Sequence, residues 1–304
     1  MKNNPKVFPI YKPPGPSSFQ MVARVKRALR GSVKKVGHFG SLDPFAEGLM
    51  LIGVSGAARL NQYIQKTLSK TYVAKGKLGI KTATGDKEGE ILARDERPLP
   101  SDLNLEKIKE LLEKKFTGDI LQAPPAFSAA KHQGKPLYKY ALEGKKIEKE
   151  PVLRTIYTLE ILEFNYPYLT FKAEVSSGTY IRSLFEEMAA ELGTLGHLVE
   201  LKRTKIGPHE ITGLPTHGEI VPSEMALQEM SLGQALPLCE IRLNEAAEIK
   251  FSHGNNISPS GIDQVTAEDI PYLPGHAWVY GPKGNLLGMG QNNSAGLKPV
   301  WVLS

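Results

Sequence analysis

Over residues 169–193 the hydrophobic period changes from two to about 3.6 across a single break. Leu169, Phe171, Ala173 and Val175 alternate with Thr170, Lys172, Glu174 and Ser176, the pattern of a half-buried strand. The chain then turns at Gly178 and continues as "TYIRSLFEEMAAELG". In that stretch Ile181, Leu184, Met188 and Leu192 share one side of a helix that Gly193 ends. A strand with one wet face, followed at once by a helix, restricts the chain to folds that mix the two elements. Further strands alternate in the same way, notably "SKTYVAKGKLGI" with Tyr72, Ala74, Leu78 and Ile80 on one side. Further amphipathic helices lie between them. "SSFQMVARVKRALRG" opens with a Ser17/Gln20 capping box, has Phe19, Val22 and Leu29 on its apolar side, and has Gly31 at its end. "DLNLEKIKELLEKKFTG" is closed by Gly118. The expected class is α+β, with a mixed or antiparallel sheet flanked by helices.

After about Leu238 the texture becomes turn-rich, with short β runs such as "HAWVY". Two units are expected, residues 1–238 and a small β-rich unit over 239–304.

Charge is distributed unevenly. The net charge is only +6, yet the first 42 residues carry nine Lys or Arg and no Asp or Glu. Arg24, Arg27 and Arg30 recur at three-residue spacing and form a basic stripe on the first helix. Lys and Tyr interleave in "KTLSKTYVAKGKLGIK" and "KHQGKPLYKYALEGKK", a composition suited to phosphates and to base faces. A single cysteine, Cys239, excludes an internal disulfide framework and a Cys-based zinc site. The seven His residues show neither HExxH nor HxxxH spacing, so the sequence offers no metal motif. The N-terminal apolar run is five residues long and broken by Pro9, and no run is long enough to span a membrane, so a cytoplasmic protein is expected.

The first acidic residue is Asp43, in "VGHFGSLDPFAEGL". Asp before Pro is a natural helix opening, which makes Asp43 either a cap or a reactive carboxylate. Gly37, Gly40 and Gly48 around it indicate unusual backbone angles or close approach of a ligand. His38 lies nearby. In "SSGTYIRSL", Tyr180 and Arg182 fall in the first helical turn, where a helix N-terminus and an Arg attract an anion. Either Arg182 pairs with Asp43 or it meets an unrelated surface acid. No nucleophile elbow, P-loop or dinucleotide fingerprint is present.

Together "YKPPGPSS", "GHFGSLDPFAEGLMLIGVSGAARL", "KTYVAKGKLGIKTATGD", "APPAFSAAKHQGKPLYKYALEG", "SSGTYIRSL" and "LKRTKIG" resemble, in this order, the tRNA pseudouridine-55 synthase family, the bacterial B-type pseudouridine synthases. The resemblance implies a pseudouridine-synthase-like fold and isomerisation of a tRNA T-loop uridine, without cofactor or metal, by a monomer. It implies Asp43 as nucleophile, Tyr72 stacked on the target uracil, and Tyr180 against the same base. It pairs Arg182 with Asp43, sets His38 on the target nucleotide and Leu201 in the uracil pocket, and has Lys12 support the active-site loop. The C-terminal stretch "AWVYGPKGNLLGMGQ" resembles the end of a PUA-like RNA-binding domain. Phe39 and Glu47 depart from the family pattern, which has small or hydroxyl residues there. Two rival readings are a non-catalytic tRNA-binding or tRNA-folding factor and a carboxylate-dependent hydrolase of a small nucleoside or glycoside.

Overall fold

The computed structural model describes residues 5–29, 33, 35–100, 103–145, 147–216, 219–266 and 273–303. Seven strands make the body of a nine-stranded sheet. They are β1 (Lys6–Lys12), β2 (Glu47–Val54), β3 (Lys70–Leu78), β4 (Gly118–Gln122), β5 (Val152–Asn165), β6 (Tyr168–Val175) and β7 (Gly196–Ile206). Their spatial order is β1-β2-β7-β3-β6-β5-β4, with the short strands Val36–His38 and His209–Glu210 added to β2 and β7. All neighbours in that order run antiparallel except β2 and β7, which run parallel over the pairs Glu47–Lys202 and Gly48–Arg203. The sheet is therefore mixed. Gly48 has φ of +121°, and the Arg203 backbone fills the space a Cβ would need, so this junction requires glycine.

Helices α1 (Ser18–Ala28), α2 (Leu105–Phe116) and α3 (Ile181–Glu191) contribute to one core. Met21 and Val25, Ile108 and Leu112, and Leu184 and Met188 meet Ile52, Ile156 and Phe171 there. A second core contains Leu49 and Leu51. Strand β2 is covered on both faces, which explains why it reads as an unbroken apolar run and not as an alternation. Helix α3 presses so closely on β3 that a Cβ on Gly76 would lie within the Phe185 ring. Strand β6 alternates in burial as its sequence does, and α3 buries Ile181, Leu184 and Met188.

Helix α1 opens with the expected capping box. Gln20 N–H donates to the Ser17 hydroxyl at 3.3 Å, and Ser17 N–H donates to Gln20 Oε1 at 2.7 Å. Its core side differs from expectation: Met21 and Val25 are fully buried, whereas Phe19 is 78% exposed. Phe19 is about 100° around the helix from Ser18, which faces inward, so it lies off the buried stripe. The expected end at Gly31 and the third stripe residue, Arg30, lie outside the described residues.

Strands β8 (Cys239–Leu243), β9 (Ile262–Thr266), β10 (His276–Tyr280), β11 (Leu286–Asn293) and β12 (Gly296–Val302) form a five-stranded sheet in the order β9-β8-β10-β11-β12. One face packs around Ile241, Phe251 and Val279. From the other, Trp278, Met289 and Trp301 enter the core that holds Leu49 and Leu51. Trp278 Nε1 donates to the Leu236 carbonyl at 2.8 Å, satisfying the indole as it is buried.

Candidate active site

No helix follows Asp43. Ala46 N–H closes a turn on the Asp43 carbonyl at 3.2 Å, and the chain enters β2 at Glu47. The Asp-Pro pair is therefore not a helix cap. The Asp43 carboxylate lies in a cleft of about 930 Å³ with its side chain 38% exposed.

Buried groups hold this loop from beneath. The Ser18 hydroxyl accepts from Leu42 N–H at 2.8 Å and donates to the Leu42 carbonyl at 3.0 Å. Lys12 is fully buried, and its ammonium donates to the carbonyls of Pro13 and Pro44, both at 3.0 Å, and of Ala46. Burial pulls the Lys12 pKa down to about 8, with the nearby Asp43 charge opposing. Arg203 donates from Nε to the Leu49 carbonyl at 2.8 Å, and from its Nη atoms to the carbonyls of Ser41 at 3.3 Å and Gly40 at 3.1 Å. Lys70 lines the cleft and donates to the carbonyls of Leu68 and Gln65. Burial first and the Arg203 charge second lower its pKa to about 7.

Arg182 faces Asp43 from the first turn of α3. Its Nε donates to Asp43 Oδ2 at 2.8 Å and its Nη2 to Oδ1 at 3.3 Å, a two-point fork. Nη2 also donates to the Phe127 carbonyl at 2.8 Å, and Nη1 to the Thr84 carbonyl. The Arg182 side chain is 4% exposed, so its orientation is over-determined. Asp86 lies 3.9 Å from Nε and accepts from the Thr84 hydroxyl at 2.6 Å and from Glu88 N–H at 3.0 Å. One helical turn on, burial raises the Glu186 carboxyl above its ordinary value, with Lys81 and Arg182 opposing. Tyr180 caps α3 and does not enter it. Its backbone is clamped by Gln122, whose Oε1 accepts from Tyr180 N–H at 2.7 Å and whose Nε2 donates to the Tyr180 carbonyl at 3.1 Å.

Tyr72 on β3, Leu201 on β7 and His38 line the same cleft as Asp43, Tyr180 and Arg182. Tyr72 lies opposite Arg203 and Leu201 opposite Ala74 in the β3–β7 ladder. Burial, then Arg203, pushes the His38 imidazole below its ordinary value. Its Nδ1 is buried without a hydrogen-bond partner. Lys12 does not line the cleft; it acts on the loop that carries Asp43.

Both departures from the family pattern have local explanations. Phe39 is fully buried on the far side of the loop, its ring occupying the space above Gly53. Glu47 accepts from the Tyr11 hydroxyl and lies 3.4 Å from the Lys202 ammonium. Burial and Glu47 both raise the Tyr11 phenol. The glycine spacing reflects contacts within the chain: at Gly48 the close neighbour is the Arg203 backbone, not a ligand. Sequence reasoning missed Ser18, Lys70, Asp86, Gln122 and Arg203. Arg203 and Lys70 had a usable signal, since Arg203 shares a strand face with Leu201 two residues earlier and Lys70 shares one with Tyr72 two residues later.

Among the described residues no group of His, Cys, Asp or Glu is placed to hold a metal ion. Among the same residues no helix is long and apolar enough to cross a membrane. The fold matches a chain in the structure of an H/ACA RNP bound to a substrate RNA containing 2'-deoxyuridine, with a TM-score of 0.72 and 22% identity over 98% of this chain and 85% of that one. It also matches a chain of the archaeal box H/ACA sRNP Nop10-Cbf5 complex, with a TM-score of 0.70 and 24% identity over 98% and 85%. In sequence, a tRNA pseudouridine synthase B of Aquifex aeolicus is 38% identical over 260 residues, 84% of this chain and 87% of its own length. The protein of the same name from Burkholderia lata is 37% identical over 264 residues, 85% and 79%. That of Francisella philomiragia is 44% identical over 205 residues, 67% of this chain and 66% of its own. The model of the TruB family pseudouridylate synthase (N terminal domain) matches residues 26–181, a span that includes Asp43, Tyr72 and Tyr180. With half of its length matched in this way, and with relatives more than 30% identical over most of both chains, the chain belongs to the TruB family of pseudouridylate synthases.

Proposed function

We propose that this protein isomerises the uridine at position 55 in the T-loop of tRNA to pseudouridine, with Asp43 as the nucleophile. The observation that carries this reading is the Asp43 carboxylate, gripped at two points by Arg182 in a cleft that Tyr72, Tyr180 and Leu201 also line. In the reaction the N1–C1′ glycosidic bond breaks, the uracil turns, and C5 joins C1′. The C5 proton leaves and N1 takes one up, so the composition of the base is unchanged. Arg182 orients the carboxylate. Tyr72 stacks on the uracil and Tyr180 lies against it, and these flat contacts tolerate rotation of the freed base. Leu201 forms the apolar wall, and His38 contacts the target nucleotide and helps to hold it out of the loop. Lys12 keeps the Asp43 loop in place through its backbone carbonyls. The target has to be flipped out of a folded RNA at a cost of a few kcal/mol, which contacts between basic side chains and phosphates offset.

On this reading residues 1–238 are the catalytic unit and residues 239–304 a PUA-like RNA-binding unit. The protein works as a monomer in the cytoplasm, where tRNA is its partner. The decisive experiment is tritium release from a tRNA transcript labelled at uracil C5, comparing wild type with Asp43→Asn at matched tRNA binding. Release by wild type alone, mapped to the T-loop uridine, is the expected result. No release from either protein, with binding intact, leaves an RNA-binding protein and removes the enzyme.

A further inference from the structure

Phe19 is the most exposed side chain among the large apolar residues near the cleft, 78% open to solvent, and it lines the cleft mouth. It is not a loosely held surface residue. On one side Ser17 fixes its backbone through the capping box. On the other, Ser18 is tied to both the N–H and the carbonyl of Leu42, the residue before Asp43. The ring is thus mounted on the same support as the reactive carboxylate. Along α1, Ala23 and Lys26 follow Phe19 at i+4 and i+7 and are also exposed, so an aromatic ring, a small residue and a cation share one open face. The first turn of α1 holds no acidic residue. A second exposed ring, Tyr138, lines the same cleft.

An open aromatic ring in line with a cation fits a partner with flat apolar faces strung on an anionic backbone. An RNA loop has both, and its unstacked bases are commonly received on aromatic side chains. We propose that Phe19 is a stacking platform for a nucleobase adjacent to the target uridine, with Lys26, about 10 Å further along the helix, meeting the RNA phosphates. This deepens the reading of the chain as an isomerase of a flipped uridine and rests on it. Flipping one base deprives its neighbours of a stacking partner, and a ring fixed beside the nucleophile replaces that partner. Phe19 thereby positions the RNA loop and takes no part in the bond changes.

The test uses the full-length protein and an unmodified tRNA transcript, with single-turnover tritium release measured at rising enzyme concentration. Phe19→Ala is expected to raise the half-saturating concentration about tenfold, within the roughly 5- to 150-fold range of lost base–aromatic stacking. The effect on half-saturation should exceed that on the maximal rate. Phe19→Trp is expected to retain tight binding and Phe19→Leu to lose it, because Leu keeps apolarity without a ring face. All three should melt with wild type, since the side chain is exposed. Lys26→Ala is expected to lower the slope of log affinity against log salt by about one, and Phe19→Ala to leave that slope unchanged. In parallel, 2-aminopurine placed beside the target uridine should be quenched by wild type and by Phe19→Trp but not by Phe19→Ala. Affinity and quenching equal to wild type in Phe19→Ala, or equal in Phe19→Leu and Phe19→Trp, would overturn the proposal. Absence of tritium release from wild type would instead count against the isomerase reading. The 2-aminopurine titration needs no turnover and decides the stacking separately.

Discussion

Replacing Arg182 with Lys keeps the charge and removes the fork. The guanidinium serves four acceptors: the two Asp43 oxygens and the carbonyls of Thr84 and Phe127. An ammonium has three donors on one atom and no planar fork, so at least one acceptor is left unserved. A hydrogen bond involving a charged group contributes about 1.5–3 kcal/mol, and a stranded buried polar group costs about 1–3 kcal/mol. Their sum, on the order of 4 kcal/mol, is within the ~5–15 kcal/mol stability of a typical fold. Arg182→Lys is therefore expected to fold, with a thermal midpoint lowered by about 6 °C, at roughly 1.6 °C per kcal/mol for a chain of this size. Asp43, which is 38% exposed, stays solvated but loses one of the two bonds that set its rotamer. A misplacement of about 1 Å costs on the order of a hundredfold in rate. Single-turnover tritium release should then fall about a hundredfold at saturating enzyme, with tRNA binding changed less than about threefold. The assay pairs that rate with a filter-binding isotherm and a thermal melt. A rate within about threefold of wild type would refute the argument that the planar fork is what aims the carboxylate.

Gly76→Ala would place a methyl group within the Phe185 ring and is expected to destabilise by more than about 2 kcal/mol. Phe185→Leu in the same chain should recover part of that loss in urea unfolding, and a double variant no more stable than the single one contradicts the close-approach argument. The Lys70 pKa lies at about 7 when folded against an ordinary 10.5. Below about pH 7 both states hold the proton; between pH 7 and 10.5 the unfolded state binds more, so stability rises with pH across that window. Lys12, at about 8, adds a rise that begins one pH unit higher. The Lys70 contribution amounts to roughly 5 kcal/mol at most. Lys70→Met should flatten the rise in urea midpoint between pH 6 and 9, and an unchanged slope would show that the buried amine is not its source.

Local periodicity made the strand β6, its turn and helix α3 legible, because each residue there reports the face it occupies. The pairing of Asp43 with Arg182 spans 139 residues and has no local period, so the residues alone offered it as one of two alternatives and the family resemblance was needed to choose it. The rest of the guanidinium shell was illegible for a different reason. Thr84 and Phe127 act through backbone carbonyls, and a carbonyl is the same in every residue. Phe39 and Phe19 face opposite ways. Phe39 follows His38 in an extended segment, so the two side chains point to opposite sides, and the aromatic ring in the stretch that carries Asp43 belongs to the core. Phe19 looks like a core residue by composition, yet it lies more than about 100° around the helix from the stripe formed by Met21 and Val25. Hydrophobicity alone does not distinguish a ring that packs from a ring that is displayed.

The cations around Asp43 account for the late arrival of the first acid in the chain. A cleft that receives RNA, as proposed above, has to hold its carboxylates without repelling the phosphates. Lys12, Arg203 and Lys70 are buried near the Asp43 loop and the cleft, and the bonds described for them go to backbone carbonyls. A carbonyl satisfies a donor without cancelling its charge, so Arg203 keeps a positive charge beside the cleft at all ordinary pH, and Lys12 and Lys70 add theirs as the pH falls below about 8 and 7. Arg182 alone of the four grips the Asp43 carboxylate. An additional acid on the first helix or in its approach would weaken that field at the point where phosphates enter. Glu47 tolerates its position for the complementary reason: Tyr11 and Lys202 engage its two oxygens, and its charge is met within the fold before it reaches the cleft. The acid-free opening of the sequence and the carbonyl-bound cations thus act together: no acid from the first helix joins Asp43 and Asp86, which both lie against Arg182 in the cleft.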